Sequence, residues 1–81
     1  MRTDLWQEER GVNIFRIQTD EKDVADKLKR RKNFKLVAWG MNCPLWIFVC
    51  SFYSYQKARK ALRNLTNRPV QKDSEEGVYF A

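Results

Sequence analysis

Histidine is absent from this chain of 81 residues, and cysteine occurs only twice. The chain therefore lacks the side chain that most often moves protons at neutral pH and that is the commonest ligand of transition metals. Two cysteines, Cys43 and Cys50, are too few for a disulfide framework and offer a zinc ion almost no ligands. We expect no metal site, no cofactor and free thiols, with Cys43 exposed in a turn and Cys50 buried in a strand.

The patterns that mark an enzyme are also missing. The three glycines are isolated, so there is no glycine-rich loop to hold a phosphate. Neither cysteine has an evident basic neighbour or helix start that would activate its thiol. The acids Asp20, Glu21 and Asp23 stand where a helix is predicted to begin, and capping and the helix dipole explain carboxylates there. We expect a non-enzymatic protein without catalytic residues.

The sequence has no long hydrophobic run. The longest nearly apolar stretch, Pro44 to Tyr55, is far shorter than the roughly 20 residues that a helix needs to cross a bilayer. The first residues do not show the charged segment and following apolar stretch of an export signal. The sequence therefore predicts a cytoplasmic protein with no membrane partner.

Hydrophobic residues nevertheless make up 43% of the chain and aromatic residues 14%, which is enough for the core of one small domain. Hydrophobic periodicity predicts six secondary-structure elements. They are strands over 12–19, 34–41, 45–52 and 77–80 and helices over 20–32 and 54–67.

This order, β-α-β-β-α with a short final strand, is that of the ferredoxin-like or α/β-plait fold. We therefore predict an α+β domain in which two helices lie on one face of an antiparallel sheet. The domain is expected over residues 12–81 with a polar loop at 70–76. Residues 1–11 are expected to form an N-terminal arm.

A pattern of aromatic, small and aliphatic residues runs from the third predicted strand into the second helix. It consists of Phe52, Tyr53, Ser54, Ala58, Ala61, Leu62, Leu65, Thr66 and Asn67. This segment, about a quarter of the chain, resembles the corresponding passage of RNA-recognition-motif (RRM) domains, which implies the plait fold and RNA binding. The base-stacking positions depart from that family, because Ile47 and Val49 replace its aromatic residues.

The same segment is also similar to peptidoglycan-binding SPOR domains, whose third strand leads through an aromatic residue and a serine into an alanine-rich helix. Cys50 stands where those domains usually have a strand glycine. They work outside the cytoplasm behind an anchor, whereas a cytoplasmic location is expected for this chain. SPOR-like binding is therefore a minor alternative.

One cluster of positive charge lies between Ser54 and Lys72. The net charge is +6, and no acidic residue lies between Ser54 and Lys72. The residues predicted to contact an anionic ligand are Lys57, Arg59, Lys60, Arg63, Arg68 and Lys72, with Arg16 from the first predicted strand. A solvated helix face is the competing explanation. A second basic block, Lys27 to Lys32, follows the acids of the first helix and is explained by the helix dipole.

Aromatic residues on the first, second and third predicted strands are candidates for an exposed aromatic surface or a dimer interface. They are Phe15, Trp39, Trp46 and Phe48. Packing in the core is the competing explanation for these side chains.

Two functions are compatible with these features. The first is binding of RNA, single-stranded DNA or a phosphorylated small ligand by the basic helix face. The second is a homo-oligomeric, most simply dimeric, interaction module. A compact domain of this size without enzyme motifs fits an accessory protein of a phage or mobile element that inhibits a host protein or sequesters a nucleotide signal.

Overall fold

Two helices pack on one face of a six-stranded antiparallel sheet. The computed structural model describes residues 2–9, 11–72 and 77–80, without the side chains of Val70 and Lys72. The elements are β1 (Thr3–Gln7), β2 (Ile14–Thr19), α1 (Lys22–Lys29), β3 (Phe34–Trp39), β4 (Trp46–Ser51), α2 (Tyr55–Thr66), β5 (Val70–Lys72) and β6 (Gly77–Phe80). The strand order in the sheet is β3-β4-β2-β1-β6-β5. The predicted α+β class is confirmed.

All six predicted elements are present, as β2, α1, β3, β4, α2 and β6. The sheet differs from the predicted one in having two further strands. Because β1 lies between β2 and β6, the last strand pairs with β1 and not with β2. The predicted polar loop at 70–76 instead begins with β5, and its residues 73–76 lie outside the described residues.

The prediction of an N-terminal arm over residues 1–11 is wrong for Thr3–Gln7, which form the strand β1 inside the sheet. Thr3 and Leu5 point into the core and are fully buried, whereas Asp4 and Trp6 lie on the other face. A strand whose buried positions include a threonine has a weak hydrophobic alternation. This is the physical reason why the sequence pattern did not identify it.

The core lies between the sheet and the two helices. Leu5, Ile17 and Phe48 are paired in register across β1, β2 and β4, and all three are fully buried. Phe15 of β2 stacks on Tyr55 of α2 with ring centroids 5.7 Å apart. The helices add the buried residues Val24, Ala25, Leu28, Ala58, Leu62 and Leu65. Burial of this apolar surface holds both helices on the same face of the sheet.

Helix α2 has well-defined ends. The hydroxyl oxygen of Ser54 accepts a hydrogen bond from the backbone N–H of Lys57 at 3.3 Å, which caps the N-terminus. Asn67 ends the helix in the left-handed conformation with φ of 57°, and its N–H donates to the carbonyl oxygen of Arg63 at 2.8 Å. The helix therefore holds its solvent-facing side chains in a regular array.

Within residues 2–9, 11–72 and 77–80, no helix is both long enough and apolar enough to span a membrane.

Candidate anion-binding surface

The two helices and the short segments beside them carry most of the positive charge. Residues 21–32 and 55–68, which we call the helix layer, contain 11 of the 16 lysines and arginines but only 3 of the 10 acidic residues. The rest of the chain therefore carries more acidic than basic residues. Because both helices pack on one face of the sheet, most of these basic residues are brought to the same side of the sheet.

Four of the predicted ligand-contacting residues lie together on α2. Lys57, Lys60 and Arg63 are exposed, and Arg59 is half-buried with its guanidinium 5.7 Å from the centre of the Tyr55 ring. Arg59, Lys60 and Arg63 line a shallow groove along the helix. The α2 sequence contains no acidic residue, so no carboxylate of this helix offsets the four cations.

Arg68 is held by the fold rather than presented to a ligand. Its Nη1 donates to Oε2 of Glu21 at 2.7 Å, and its Nη2 donates to Oε1 at 2.5 Å. Nη1 also lies 3.4 Å from the carbonyl oxygen of Phe80, which accepts a hydrogen bond. Arg68 was predicted to contact a ligand. In the structure its side chain instead forms an ion pair that joins the start of α1 to the segment after α2.

The Glu21 carboxylate at the centre of this ion pair is buried, with 6% of the residue exposed. Hydrogen bonding to Arg68 holds the pKa of this carboxyl below its ordinary value, against the opposing effect of desolvation. The same pair raises the pKa of Arg68. The prediction that capping explains Glu21 is wrong, because its side chain makes no capping hydrogen bond to α1.

Two buried threonines complete the surroundings of Glu21. The Thr3 hydroxyl donates to Oε2 of Glu21 at 3.0 Å, and Thr19 Oγ1 accepts from the Glu21 backbone N–H at 3.1 Å. The two threonine hydroxyl oxygens are 2.9 Å apart. Since the Thr3 proton is directed to the carboxylate, Thr19 is the donor between the two hydroxyls. This ring of hydrogen bonds joins β1, β2 and the start of α1.

The remaining predicted basic residues are not on the same surface as α2. Arg16 lies on the helix-distal face of the sheet, on which neither α1 nor α2 packs, and its Nε donates to Oε2 of Glu8 at 2.8 Å. Lys72 belongs to β5, and its side chain lies outside the described part of the protein. The residues predicted to contact an anionic ligand therefore lie in three places: on the surface of the helix layer, in the interior ion pair and on other parts of the sheet.

Of the four residues predicted to form an aromatic surface, two are buried in the core and two are accessible to solvent. Phe15 and Phe48 are fully buried, so the prediction that they form a surface or dimer interface is wrong and core packing accounts for both. Trp39 is 62% exposed and is paired across the sheet with the half-buried Trp46. The Nζ of Lys29 lies 5.9 Å from the centre of the Trp46 ring. The two tryptophans are the members of this set that a partner can reach.

A cleft beside α2 contains residues that were not predicted to take part in binding. It has a volume of about 390 Å³ and lies between α2 and the segment after α1. Its lining residues are Arg31, Lys32, Asn33, Phe34, Phe52, Ala61 and Leu65. The basic run at the end of α1 was a visible signal in the sequence. Its position next to two phenylalanines depends on tertiary contacts.

The two thiols behave as predicted. Cys43 is exposed and Cys50 is buried, and neither forms a disulfide. Burial raises the pKa of the Cys50 thiol to about 12, so this group is protonated at neutral pH and is a poor nucleophile. Across the described part of the chain, no three His, Cys, Asp or Glu side chains are close enough to hold a metal ion.

Comparisons of the chain with protein-family models, with curated proteins and with solved structures found no match. The resemblances to RRM and SPOR domains therefore stay predictions. The function is inferred below from charge, shape and side-chain chemistry.

Proposed function

We propose that this protein binds single-stranded RNA or DNA through the outer surface of its helix layer, with lysine and arginine side chains contacting phosphates. The observation that carries this proposal is the concentration of 11 of the 16 basic residues in the helix layer, ten of them besides the ion-paired Arg68. A surface on which positive charges are clustered attracts a polyanion, whereas charges that are evenly scattered are simply solvated by water.

The geometry of α2 suits contacts with successive phosphates. At a rise of about 1.5 Å per residue, Lys57 and Arg63 are about 9 Å apart along the helix axis, with Arg59 and Lys60 between them. Packing against Tyr55 restricts the guanidinium of Arg59. A strand that follows α2 would contact several cations at once, which is how sequence-independent binding gains its affinity.

The helix-distal face of the sheet is a weaker candidate for this role. Ile47 and Val49 lie on that face of the inner strand β4, at the positions where an RRM domain stacks bases on aromatic residues. An aliphatic surface does not provide the same stacking. This supports the helix layer as the binding surface and distinguishes the proposal from binding in the RRM manner.

Reversing two charges on α2 tests the proposal. We expect Arg59→Glu combined with Arg63→Glu to weaken binding of a labelled single-stranded oligonucleotide by about tenfold or more, because two phosphate contacts are replaced by repulsion. The slope of log affinity against log salt concentration should fall by about 1.4, since each contact with a single strand contributes about 0.7. Fluorescence anisotropy at several salt concentrations measures both quantities.

The matched control is Arg16→Glu combined with Lys35→Glu, which changes the net charge equally on the helix-distal face. Arg16 and Lys35 both lie beside Val49 in the register of the sheet. This control should keep the wild-type slope. Equal losses in the two double variants would show a nonspecific effect of net charge, and wild-type binding that does not weaken with salt would exclude phosphate contacts as its source.

A second candidate function, homodimerisation, is favoured by exposed apolar side chains on β3 and on the turn that follows it. Val37 is 44% exposed, Trp39 62% and Met41 90%, and β3 is an edge strand of the described sheet. An irregularity in the pairing between Leu36 and Ala38 interrupts this edge. We therefore propose contacts between the side chains of two copies, with Trp39 at the centre, rather than a continuous ladder between two edge strands.

Replacing Trp39 tests this interface. If the protein dimerises through β3, Trp39→Lys should convert a dimer into a monomer at micromolar concentration in sedimentation equilibrium, because two lysines would face each other across the contact. Tyr53→Lys is the control, since Tyr53 is 85% exposed on the segment between β4 and α2. A wild-type protein that is already monomeric would remove this candidate.

A further inference from the structure

The cleft defined above differs from the rest of the helix layer in having an apolar floor. Its volume of about 390 Å³ falls in the range of roughly 300–1,000 Å³ that is common for small-ligand sites. It is open to solvent at the junction of the segment after α1, the start of β3 and the middle of α2.

The floor of the cleft is aromatic. The rings of Phe34 and Phe52 have centroids 5.8 Å apart and planes inclined by 50°. Phe34 is 8% exposed and belongs to the core, whereas Phe52 is half-buried and packs at the edge of the core. Ala61 and Leu65 form the adjacent wall on α2. A planar base can stack on such a surface, while a phosphate cannot be satisfied there.

The rim of the cleft is cationic. Arg31 and Lys32 are exposed beside the aromatic floor, and none of the described residues that line the cleft is acidic. Lys57 lies one helical turn before Ala61, on the same side of α2. Asn33 adds an amide that can donate to or accept from the edge of a base. The cations are therefore placed beside the apolar floor rather than within it.

We propose that the cleft accepts one unpaired base of the bound strand. The base stacks on Phe52, and its flanking phosphates contact Arg31 and Lys32 on one side and Lys57 on the other. Charge complementarity selects this occupant, because an apolar peptide segment would leave the two rim cations without partners. The inference rests on the proposed function and adds to it that the protein prefers strands with unstacked bases.

The small side chain of Ala61 is required by this arrangement. A residue with a longer side chain at this position would extend from α2 toward Phe52 and occupy the space of the base. Ala61 is half-buried and lines the cleft, so a larger residue here occupies the cleft without displacing the packed core. The position therefore offers a way to fill the cleft without changing its charge.

The decisive experiment compares two single strands of equal length and equal phosphate number, one with bases and one made entirely of abasic sites. We expect the strand with bases to bind about tenfold more tightly at the same salt concentration, as stacking of a base on an aromatic side chain would provide. The salt slopes of the two strands should be equal. Equal affinities would overturn the base site and leave phosphate binding intact, whereas a lack of salt-dependent binding by both strands would overturn the proposed function itself.

Two variants locate the effect in the cleft. Ala61→Leu fills the cavity, and Phe52→Leu removes the aromatic ring while keeping an apolar side chain. Each should reduce the preference for the strand with bases to about twofold or less and leave the affinity for the abasic strand unchanged. Asn64→Leu is the control, because Asn64 is an exposed α2 residue that does not line the cleft. If the preference persists in both folded variants, the base binds elsewhere.

Discussion

Replacing Arg68 by alanine is expected to destabilise the protein by about 3 kcal/mol at neutral pH, because it leaves the buried carboxylate of Glu21 without its charged partner. Two hydrogen bonds, at 2.5 and 2.7 Å, join the guanidinium to this carboxylate. The Thr3 hydroxyl would remain as a donor to Glu21, but a neutral hydroxyl does not balance a buried charge. Urea unfolding of the wild type and the variant measures the difference in free energy.

The difference should depend on pH. Because the pKa of Glu21 is lowered below its ordinary value near 4.5, the ion pair contributes fully above that value. Its contribution is lost as the pH falls through the lowered pKa, when the carboxyl takes up a proton in the folded protein. The stability advantage of the wild type over Arg68→Ala should therefore shrink below pH 4.5.

Lys60→Ala is the matched control for Arg68→Ala, since it removes an exposed cation from α2. It should change stability by no more than about 0.5 kcal/mol at any pH. An Arg68→Ala variant as stable as Lys60→Ala would contradict a structural role for the ion pair. So would a difference that stays constant through the acid range.

Replacing Phe48 by alanine is expected to cost about 3–5 kcal/mol, because the ring is fully buried in the central part of the sheet and its removal leaves a cavity. For a small domain this is a large share of a total stability of about 5–15 kcal/mol. The variant should lose its cooperative thermal transition or show it at a much lower temperature. Near-ultraviolet circular dichroism, which reports on packed aromatic rings, should weaken in parallel.

Trp39→Ala provides the comparison for Phe48→Ala. Trp39 is 62% exposed at the edge of the sheet, so its removal should cost at most about 1 kcal/mol. Trp39 and Phe48 were both predicted to belong to an aromatic surface. The stabilities of the two variants would show which of these residues packs in the core and which lies on the surface. A large loss from Trp39→Ala with a small one from Phe48→Ala would contradict the burial of these residues described above.

Much of the fold follows from local patterns in the sequence. Helix α2 has both an apolar stripe and a clear N-terminal cap at Ser54, so its position was predicted closely. Strand β4 is a continuous apolar run. The position of its neighbour β3 follows from the alternation of its residues between the two faces of the strand. Strand β1 was not predicted, because Thr3 occupies a core position and gives the segment a polar appearance.

The candidate site was predictable only in part. The cations of α2 could be identified because they are close in sequence and share one side of a helix. The ion pair of Arg68 could not be predicted, since its partner Glu21 lies 47 residues earlier in the chain. The cleft likewise joins residues 31–34, Phe52 and two residues of α2, and no local pattern shows that these segments meet.

The sequence by itself determined the α+β class, the position of α2 and the cationic character of its solvent-facing side, because periodicity and residue chemistry act over a few neighbouring residues. The tertiary structure decided which cations and aromatic residues lie on the surface. It placed Phe15 and Phe48 in the core, paired Arg68 with Glu21 and set Arg31 and Lys32 beside an aromatic floor. Burial and ion pairing depend on segments that are distant in the chain, and only folding brings those segments together.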